Sequence, residues 1–456
     1  MNDLVIVGGG QSAAQWVLTL RRNDIKEPIT IIAEEHYLPY RRPPLSKEYL
    51  AGEVSLERVY MKTQDFFDQN NVVIKHSKAL SLDRESKSIN LSNGDTIKYI
   101  NLVIATGSRV RELDVEGSHL KNINYLRTID DSNDLKEYFK SGKKLVIIGA
   151  GYIGLEVAAT AVQKGLKVTV VEMADRVMNR TVDPVISDYF DNLHRTNGVE
   201  IFLESALERF EGESGVEKVI CTNNKTVEAD GVVVGVGILP NQEIAESAGL
   251  KCNNGILVDE YGRTEDPSIY ACGDCTNHPN FYMKKNIRLE SVHNAVEQAK
   301  TVALSLIGKP EKYDQVPWFW SDQYNDKLQI VGLSGAHDEI VTRGSMEVGT
   351  FMIFYLKKGE LIAVDSVNNP KDFLKCYEIF VNYVDDDNML KKINVNSLIV
   401  AGENDVGSTS EMSRNLSKMI QGSKFVEIKR GKHLCGIECA VDVNITFKKF
   451  IDQHND

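Results

Sequence analysis

Two glycine-rich turns in this chain have the spacing to hold phosphates. The first is Gly8-Gly9-Gly10-Gln11-Ser12-Ala13 and the second is Gly149-Ala150-Gly151-Tyr152-Ile153-Gly154. In such a turn the first glycine, Gly8 or Gly149, permits the tight bend. The second, Gly10 or Gly151, lets the backbone approach a pyrophosphate, and a small residue, Ala13 or Gly154, lets the following helix pack close to the strand. Each turn leads to a second apolar run that ends in an acid, Glu34 or Glu172, where a carboxylate can accept hydrogen bonds from a ribose diol. A carboxylate at 172 suits the free 2′-hydroxyl of NADH and repels the 2′-phosphate of NADPH, while the nearby Arg176 could reach a phosphate. Any strand-to-helix turn favours glycine, so one such turn says little. Two, each with its strand, helix and acid, indicate a dinucleotide enzyme.

The elements that position these turns are legible as apolar runs. Residues 3–8 and 29–33 flank a helical stretch from Ser12 to Arg21, and residues 144–172 restart the same strand, turn, helix, strand pattern. Runs without polar alternation belong to strands covered on both faces, hence to parallel sheets. The chain therefore carries an internal repeat of one nucleotide-binding unit. Residues 100–108 and 230–241 are strands closing on tight turns. Residues 268–274 return the chain towards the first unit, before a helix around Asn294 to Leu306. Residues 317–375 alternate and are aromatic and turn-rich, which predicts an antiparallel sheet. Beyond about residue 376 the pattern reverts to helix, strand, helix, strand, helix.

Composition excludes other classes. The chain has 456 residues, 42% of them hydrophobic and 26% charged, as in a soluble protein of several domains. A net charge of −12 argues against nucleic acid as a partner. No apolar run reaches the roughly 18 residues of a membrane span, and the N-terminal strand leaves no room for a signal peptide, so the expected compartment is the cytoplasm. The 7 cysteines are scattered, and residues 1–100 hold none. Cys272 and Cys275 form a CxxC, but it encloses Gly273-Asp274 and reads as packing rather than redox or metal chemistry. No metal site is expected.

Several strings carry a family resemblance: RRPPLSK (41–47), IATGS (104–108), YLRTIDD (125–131), GAGYIGLE (149–156), YACGD (270–274), RLESVHNAVEQAK (288–300) and PWFWSDQY (317–324). From residue 1 to about 374 the chain resembles the FAD-dependent NADH:ferredoxin reductase family, the putidaredoxin- and rubredoxin-reductase-like proteins and dioxygenase reductase components. It is also similar to the wider pyridine-nucleotide-disulfide oxidoreductase fold. The resemblance implies FAD contacts at Gly8, Gly10, Ala13, Glu34, Arg42, Lys47, Ala79, Arg127, Asp274 and Val292. On the NADH side it implies Gly237 and Glu290, which join the glycines of the second turn and Glu172. Glu156 is implied to pair with Lys47 beside the flavin, and Trp320 to lie at the flavin edge. The expected catalytic residues are thus Lys47, Glu156 and Trp320. A buried lysine is costly unless paired, which suits a Lys47–Glu156 pair.

The implied layout is α/β. Two Rossmann-like domains come first, FAD-binding at 1–108 and 239–316 and NAD-binding at 109–238, followed by an α+β interface domain at 317–375. Residues 376–456 resemble the C-terminal part of an α/β-hydrolase, with Asp405 as triad acid and His433 as triad histidine. No G-x-S-x-G nucleophile precedes them, and without one acyl transfer is closed. The expected activity is hydride transfer from NADH to FAD, then single electrons to a ferredoxin or rubredoxin serving a Rieske oxygenase or cytochrome P450. Arg41, Lys284, Lys285 and Arg288 are candidates for a basic rim facing that partner. The alternatives are a flavin NADH oxidase or apoptosis-inducing-factor-like redox protein, which shares PPLSK and both turns, and a non-catalytic fusion acting as an interaction protein.

Overall fold

Leu4–Val7 and Ile29–Ala33 are buried at every residue, and strands of that kind need cover on both faces. The computed structural model describes residues 4–382, 393–405, 409–432 and 435–453. In it these two strands pair in parallel within a five-stranded sheet ordered Ile269–Ala271, Asn101–Ile104, Leu4–Val7, Ile29–Ala33, Val72–His76. Helix Gln11–Arg22 connects the first two strands and packs against helix Val292–Leu306. Ala13, Trp16 and Leu20 meet Ala299, Val302 and Ala303 in one core.

The second unit repeats this plan in a parallel sheet ordered Glu200–Phe202, Lys167–Val171, Lys144–Ile148, Gly231–Val234, Ile123–Asn124. The repeat goes further than the apolar runs suggest. Each unit inserts a three-stranded antiparallel sheet, at Ala79–Asp83, Ser88–Leu91 and Thr96–Lys98 in the first, and at Leu207–Glu211, Lys218–Cys221 and Thr226–Glu228 in the second. The chain crosses between units along Ser108–Val110 and Ile238–Pro240, which pair antiparallel. Thr106 Oγ1 donates to the Asn241 carbonyl at 2.6 Å and Asn241 Nδ2 to the Thr106 carbonyl at 3.0 Å, locking the two crossings together.

Residues 318–367 form an antiparallel sheet ordered Trp318–Gln323, Asp326–Gly332, Glu360–Val367, Thr350–Lys357, Glu339–Ser345. Tyr324, at φ 55°, and Asn325 close its first hairpin, a two-residue turn that needs a left-handed backbone. Helix Pro370–Asn382 docks Phe373 and Cys376 on this sheet's core beside Val331, Met352 and Val364. That helix runs across residue 375, and the first compact unit ends at Phe380.

The second compact unit, residues 381–456, pairs Leu398–Gly402 and Lys424–Ile428 in parallel, with helix Ser410–Met419 between them in sequence and helix Ala440–Asp452 after them. Asp405 follows its first strand and is buried; His433 lies outside the described residues. Among the described residues, no helix is long and apolar enough to cross a membrane.

Candidate functional site

Both glycine-rich turns open onto one continuous cleft of about 2420 Å³. Every site residue expected from the sequence lines it except Ala13, which is fully buried in the core behind the first turn.

The turns combine one glycine that nothing can replace with one that leaves space. Gly8 sits at φ +119°, and a Cβ there would lie 2.1 Å from the Ala105 carbonyl oxygen; Gly149, at φ +100°, would meet the Gly235 oxygen at 2.5 Å. A Cβ on Gly10 or Gly151 would find nothing within 4 Å. Helices Gln11–Arg22 and Tyr152–Gln163 begin at these open positions, with no side-chain cap and no acid in the first turn. Their unsatisfied N–H groups and positive helix ends form two anion sites. This arrangement fits the pyrophosphates of FAD and of NADH.

Charged groups are fixed along the first turn's side of the cleft. Arg42 pairs with Glu35 at 2.9 Å and donates to the Tyr40 hydroxyl at 2.9 Å and to the Arg127 carbonyl. Arg127 pairs with Asp274 at 3.0 Å and donates to the Ser108 carbonyl at 2.9 Å, while Ser108 Oγ donates to the same Asp274 oxygen at 2.9 Å. Glu35, which the sequence reading passed over, therefore anchors Arg42. Glu34 is exposed and pairs with Lys78 at 2.9 Å.

On the second turn, Glu172 does more than close a strand. Its two oxygens accept from the backbone N–H of Ala150 at 2.6 Å and of Ala174 at 2.8 Å, so the carboxylate holds the turn's shape. Arg176 is committed to the Val182 and Asn179 carbonyls and the Ser187 hydroxyl at 2.8–2.9 Å.

Lys47 and Glu156 meet at 2.8 Å, with side chains 16% and 4% exposed. Ser46 Oγ donates to the same Glu156 oxygen at 2.5 Å, and Ser321 Oγ to the other at 2.7 Å. Gln323 Nε2 lies 3.2 Å from Ser321 Oγ, and Gln323 Oε1 lies 2.8 Å from His194 Nε2. The sequence reading missed Ser46, Ser321, Gln323 and His194. Strand alternation was the available signal for two of them. In Trp318–Gln323, Trp318 and Trp320 stack on one face at 5.4 Å, while Phe319 meets Tyr152 at 4.5 Å and Ser321 meets Glu156 on the other.

Cys272 and Cys275 are fully buried, and burial pushes both thiols up, away from the reactive thiolate. Among the described residues, no group of three or more His, Cys, Asp or Glu could hold a metal. Arg288 does not join a basic rim: its side chain is 12% exposed and pairs with Glu290 at 2.6 Å inside the cleft. Lys284 and Lys285 are exposed, and Arg41 donates to the Arg58 carbonyl.

A second buried acid makes the protein's stability depend on pH. Burial pushes the Asp365 carboxyl up to about 7; the Tyr355 hydroxyl, donating at 2.7 Å, opposes this, and Asp183 adds to it. The folded form thus keeps a proton that the unfolded chain has lost above about pH 4. Asp365 stabilises fully below that pH, and the contribution is lost as pH rises through about 7. Asp365→Asn is expected to flatten this fall, seen as a smaller difference in denaturation midpoint between acidic and mildly alkaline buffer. An unchanged difference counts against the assignment.

Comparison with known proteins agrees with this geometry. The family model described as pyridine nucleotide-disulphide oxidoreductase matches residues 2–299, and the one described as reductase C-terminal matches residues 318–388. Rhodocoxin reductase of Rhodococcus erythropolis is 41% identical over 83% of this chain and 89% of its own length. Rubredoxin-NAD(+) reductase of Pseudomonas putida is 35% identical over 81% and 96%. A chain in the crystal structure of the covalent putidaredoxin reductase–putidaredoxin complex superposes with a TM-score of 0.81 at 37% identity, covering 84% of this chain and 93% of that one. With two nucleotide-binding units on one cleft and a reductase C-terminal domain behind them, the chain belongs to the pyridine nucleotide-disulphide oxidoreductase family.

Proposed function

We propose that the chain is an FAD-dependent ferredoxin–NAD(+) reductase that takes hydride from NADH and passes single electrons to a ferredoxin or rubredoxin serving a Rieske oxygenase or cytochrome P450. The observation that carries this reading is the pair of uncapped helix N-termini opening on one cleft, which also holds the buried Lys47–Glu156 pair. Relatives named for rhodocoxin and rubredoxin support it. Gly8, Gly10 and the helix behind them take the FAD pyrophosphate, with Ala13 setting the close packing and Glu34 accepting the ribose. Arg42, Ala79, Arg127 and Asp274 hold the rest of that cofactor, with Val292 beside its ring. Gly149, Gly151 and Gly154 take the NADH pyrophosphate, Glu172 holds that turn and its ribose, and Gly237 and Glu290 border the nicotinamide. Lys47 presents its ammonium to the flavin, held there by Glu156, and Trp320 shields the flavin edge.

Bound FAD converts the electron pair of the hydride into single electrons. The protein contributes position, because hydride transfer needs donor and acceptor within roughly 3–3.5 Å. The proposed setting is the reducing cytoplasm, in keeping with cysteines that are all free thiols. For the C-terminal unit, the likeness to an α/β-hydrolase is read as packing or association, since the sequence supplies no nucleophile elbow before Asp405.

The test is reduction of cytochrome c by NADH. NADH is expected to bleach the bound flavin, and added ferredoxin to accelerate cytochrome c reduction strongly. A flavin that NADH leaves oxidised sinks the reading. Rapid reoxidation by oxygen with no effect of any carrier points to an NADH oxidase instead.

A further inference from the structure

Glu156 is the end of a chain of side chains that the reaction as described does not use. An ionised carboxylate only accepts hydrogen bonds. Ser321 has a single hydroxyl proton and lies 2.7 Å from Glu156 Oε1, so that proton goes to the carboxylate. Ser321 Oγ must then accept from Gln323, 3.2 Å away, which makes the near atom the amide nitrogen and turns Oε1 towards His194. Oε1 can only accept, so His194 Nε2, at 2.8 Å, carries a hydrogen. Burial drives His194 down to about 4, so the ring is neutral. Its Nδ1 is then bare and accepts from the Tyr324 hydroxyl at 3.2 Å. One buried charge fixes the direction of every bond, and each points towards Glu156.

His194, Gln323 and Ser321 are all 0% exposed, so bulk water does not reach any of the three. The chain crosses the molecule from helix Pro184–Thr196 through strand Trp318–Gln323 to helix Tyr152–Gln163. There it meets Lys47 and Ser46 from the first unit. Residues of both nucleotide-binding units and of the antiparallel C-terminal sheet thus converge on the orientation of one carboxylate.

We propose that Ser321, Gln323 and His194 are positioning residues for hydride transfer, holding the Glu156 carboxylate in one orientation so that it fixes the Lys47 ammonium in the cleft. This rests on the reading that Lys47 faces the flavin. A carboxylate that loses Ser321 keeps Lys47 and Ser46 on one oxygen only and is free to rotate, carrying the ammonium with it.

Two measurements test this on the holoenzyme. Nitrogen-15 NMR of histidine-labelled protein reads the His194 ring without turnover. The expected result is a neutral ring protonated at Nε2 near neutral pH, and an Nδ1–H tautomer or an imidazolium overturns the proposal. In stopped flow, Gln323→Leu removes one link at nearly constant volume. It is expected to slow hydride transfer about tenfold, the effect of one buried neutral hydrogen bond at the upper end of its range, with the NADH KM shifting less than about twofold. Ser321→Ala, a smaller change that disturbs folding less, is expected to act alike. Unchanged rate constants in both variants overturn the proposal. If Lys47→Met is slow while both are normal, the role of Lys47 stands and the chain beyond Glu156 is structural only. A protein that binds no flavin instead removes the reading beneath.

Discussion

Replacing Lys47 by methionine is expected to destabilise the protein by about 3 kcal/mol, because it strands a buried carboxylate. Glu156 is 3% exposed, and of its three donors only Lys47 brings a compensating charge. The hydroxyls of Ser46 and Ser321 remain, which keeps the cost at the lower end of the range for breaking buried pairs. The same substitution is expected to slow hydride transfer on the order of a hundredfold, as when one preorganised charged donor is lost. These effects separate in a double variant. Lys47→Met with Glu156→Leu leaves no orphan charge, so stability returns towards that of the parent while hydride transfer stays slow. Denaturant unfolding and stopped-flow bleaching by NADH are the two measurements. A single variant as stable as the parent contradicts the burial argument, and a double variant with restored rate contradicts the placement of Lys47 at the flavin.

The other large effect is at the two first glycines, and here the expected outcomes differ between sites. Gly8→Ala puts a Cβ 2.1 Å from a backbone oxygen at φ +119°, so the turn at Ala105, just after strand Asn101–Ile104, must move. The left-handed backbone alone costs about 1–3 kcal/mol. The displaced turn is the one assigned to FAD, so the purified protein is expected to be colourless. Gly149→Ala makes the matching clash at 2.5 Å with Gly235, in the unit assigned to NADH. That variant is expected to keep its flavin absorption and lose bleaching by NADH. Loss of flavin from the Gly149 variant with retention in the Gly8 variant would falsify the assignment of the two turns.

Much of this layout was legible in the sequence, for identifiable physical reasons. Strands such as Leu4–Val7 and Lys144–Ile148 are central and covered on both faces, so their apolar runs are continuous and visible. Gly8, Gly149 and Gly154 are visible because nothing larger fits there. The inserted sheets at Ala79–Lys98 and Leu207–Glu228 are short and partly exposed, and their mixed residues carry no strong period. Glu35 was hidden behind its neighbour Glu34, because spacing alone cannot say which of two adjacent acids turns inward. His194 and Gln323 were hidden for another reason. Each is an ordinary polar residue in its own element, and only the packing of helix Pro184–Thr196 on the C-terminal sheet brings them together. Arg288 read as a surface cation because a sequence does not show that Glu290, two residues on, folds back onto it.

The two crossings at Ser108–Val110 and Ile238–Pro240 lie side by side, so everything between them leaves and re-enters through one narrow neck. The unit assigned to the coenzyme is in that sense a cassette, inserted into the flavin unit and returning Arg127 to it, where that side chain pairs with Asp274. Its ends are held together by the host rather than by its own sheet. An exchange of that cassette at the neck keeps the chain's route through the flavin unit, and it has to carry Arg127 and the contacts of helix Ile129–Lys136 with Leu45 and Tyr49. The chain beyond Glu156 marks what the exchange has to preserve: Glu156 and His194 travel with the cassette, while Lys47, Ser321 and Gln323 stay behind.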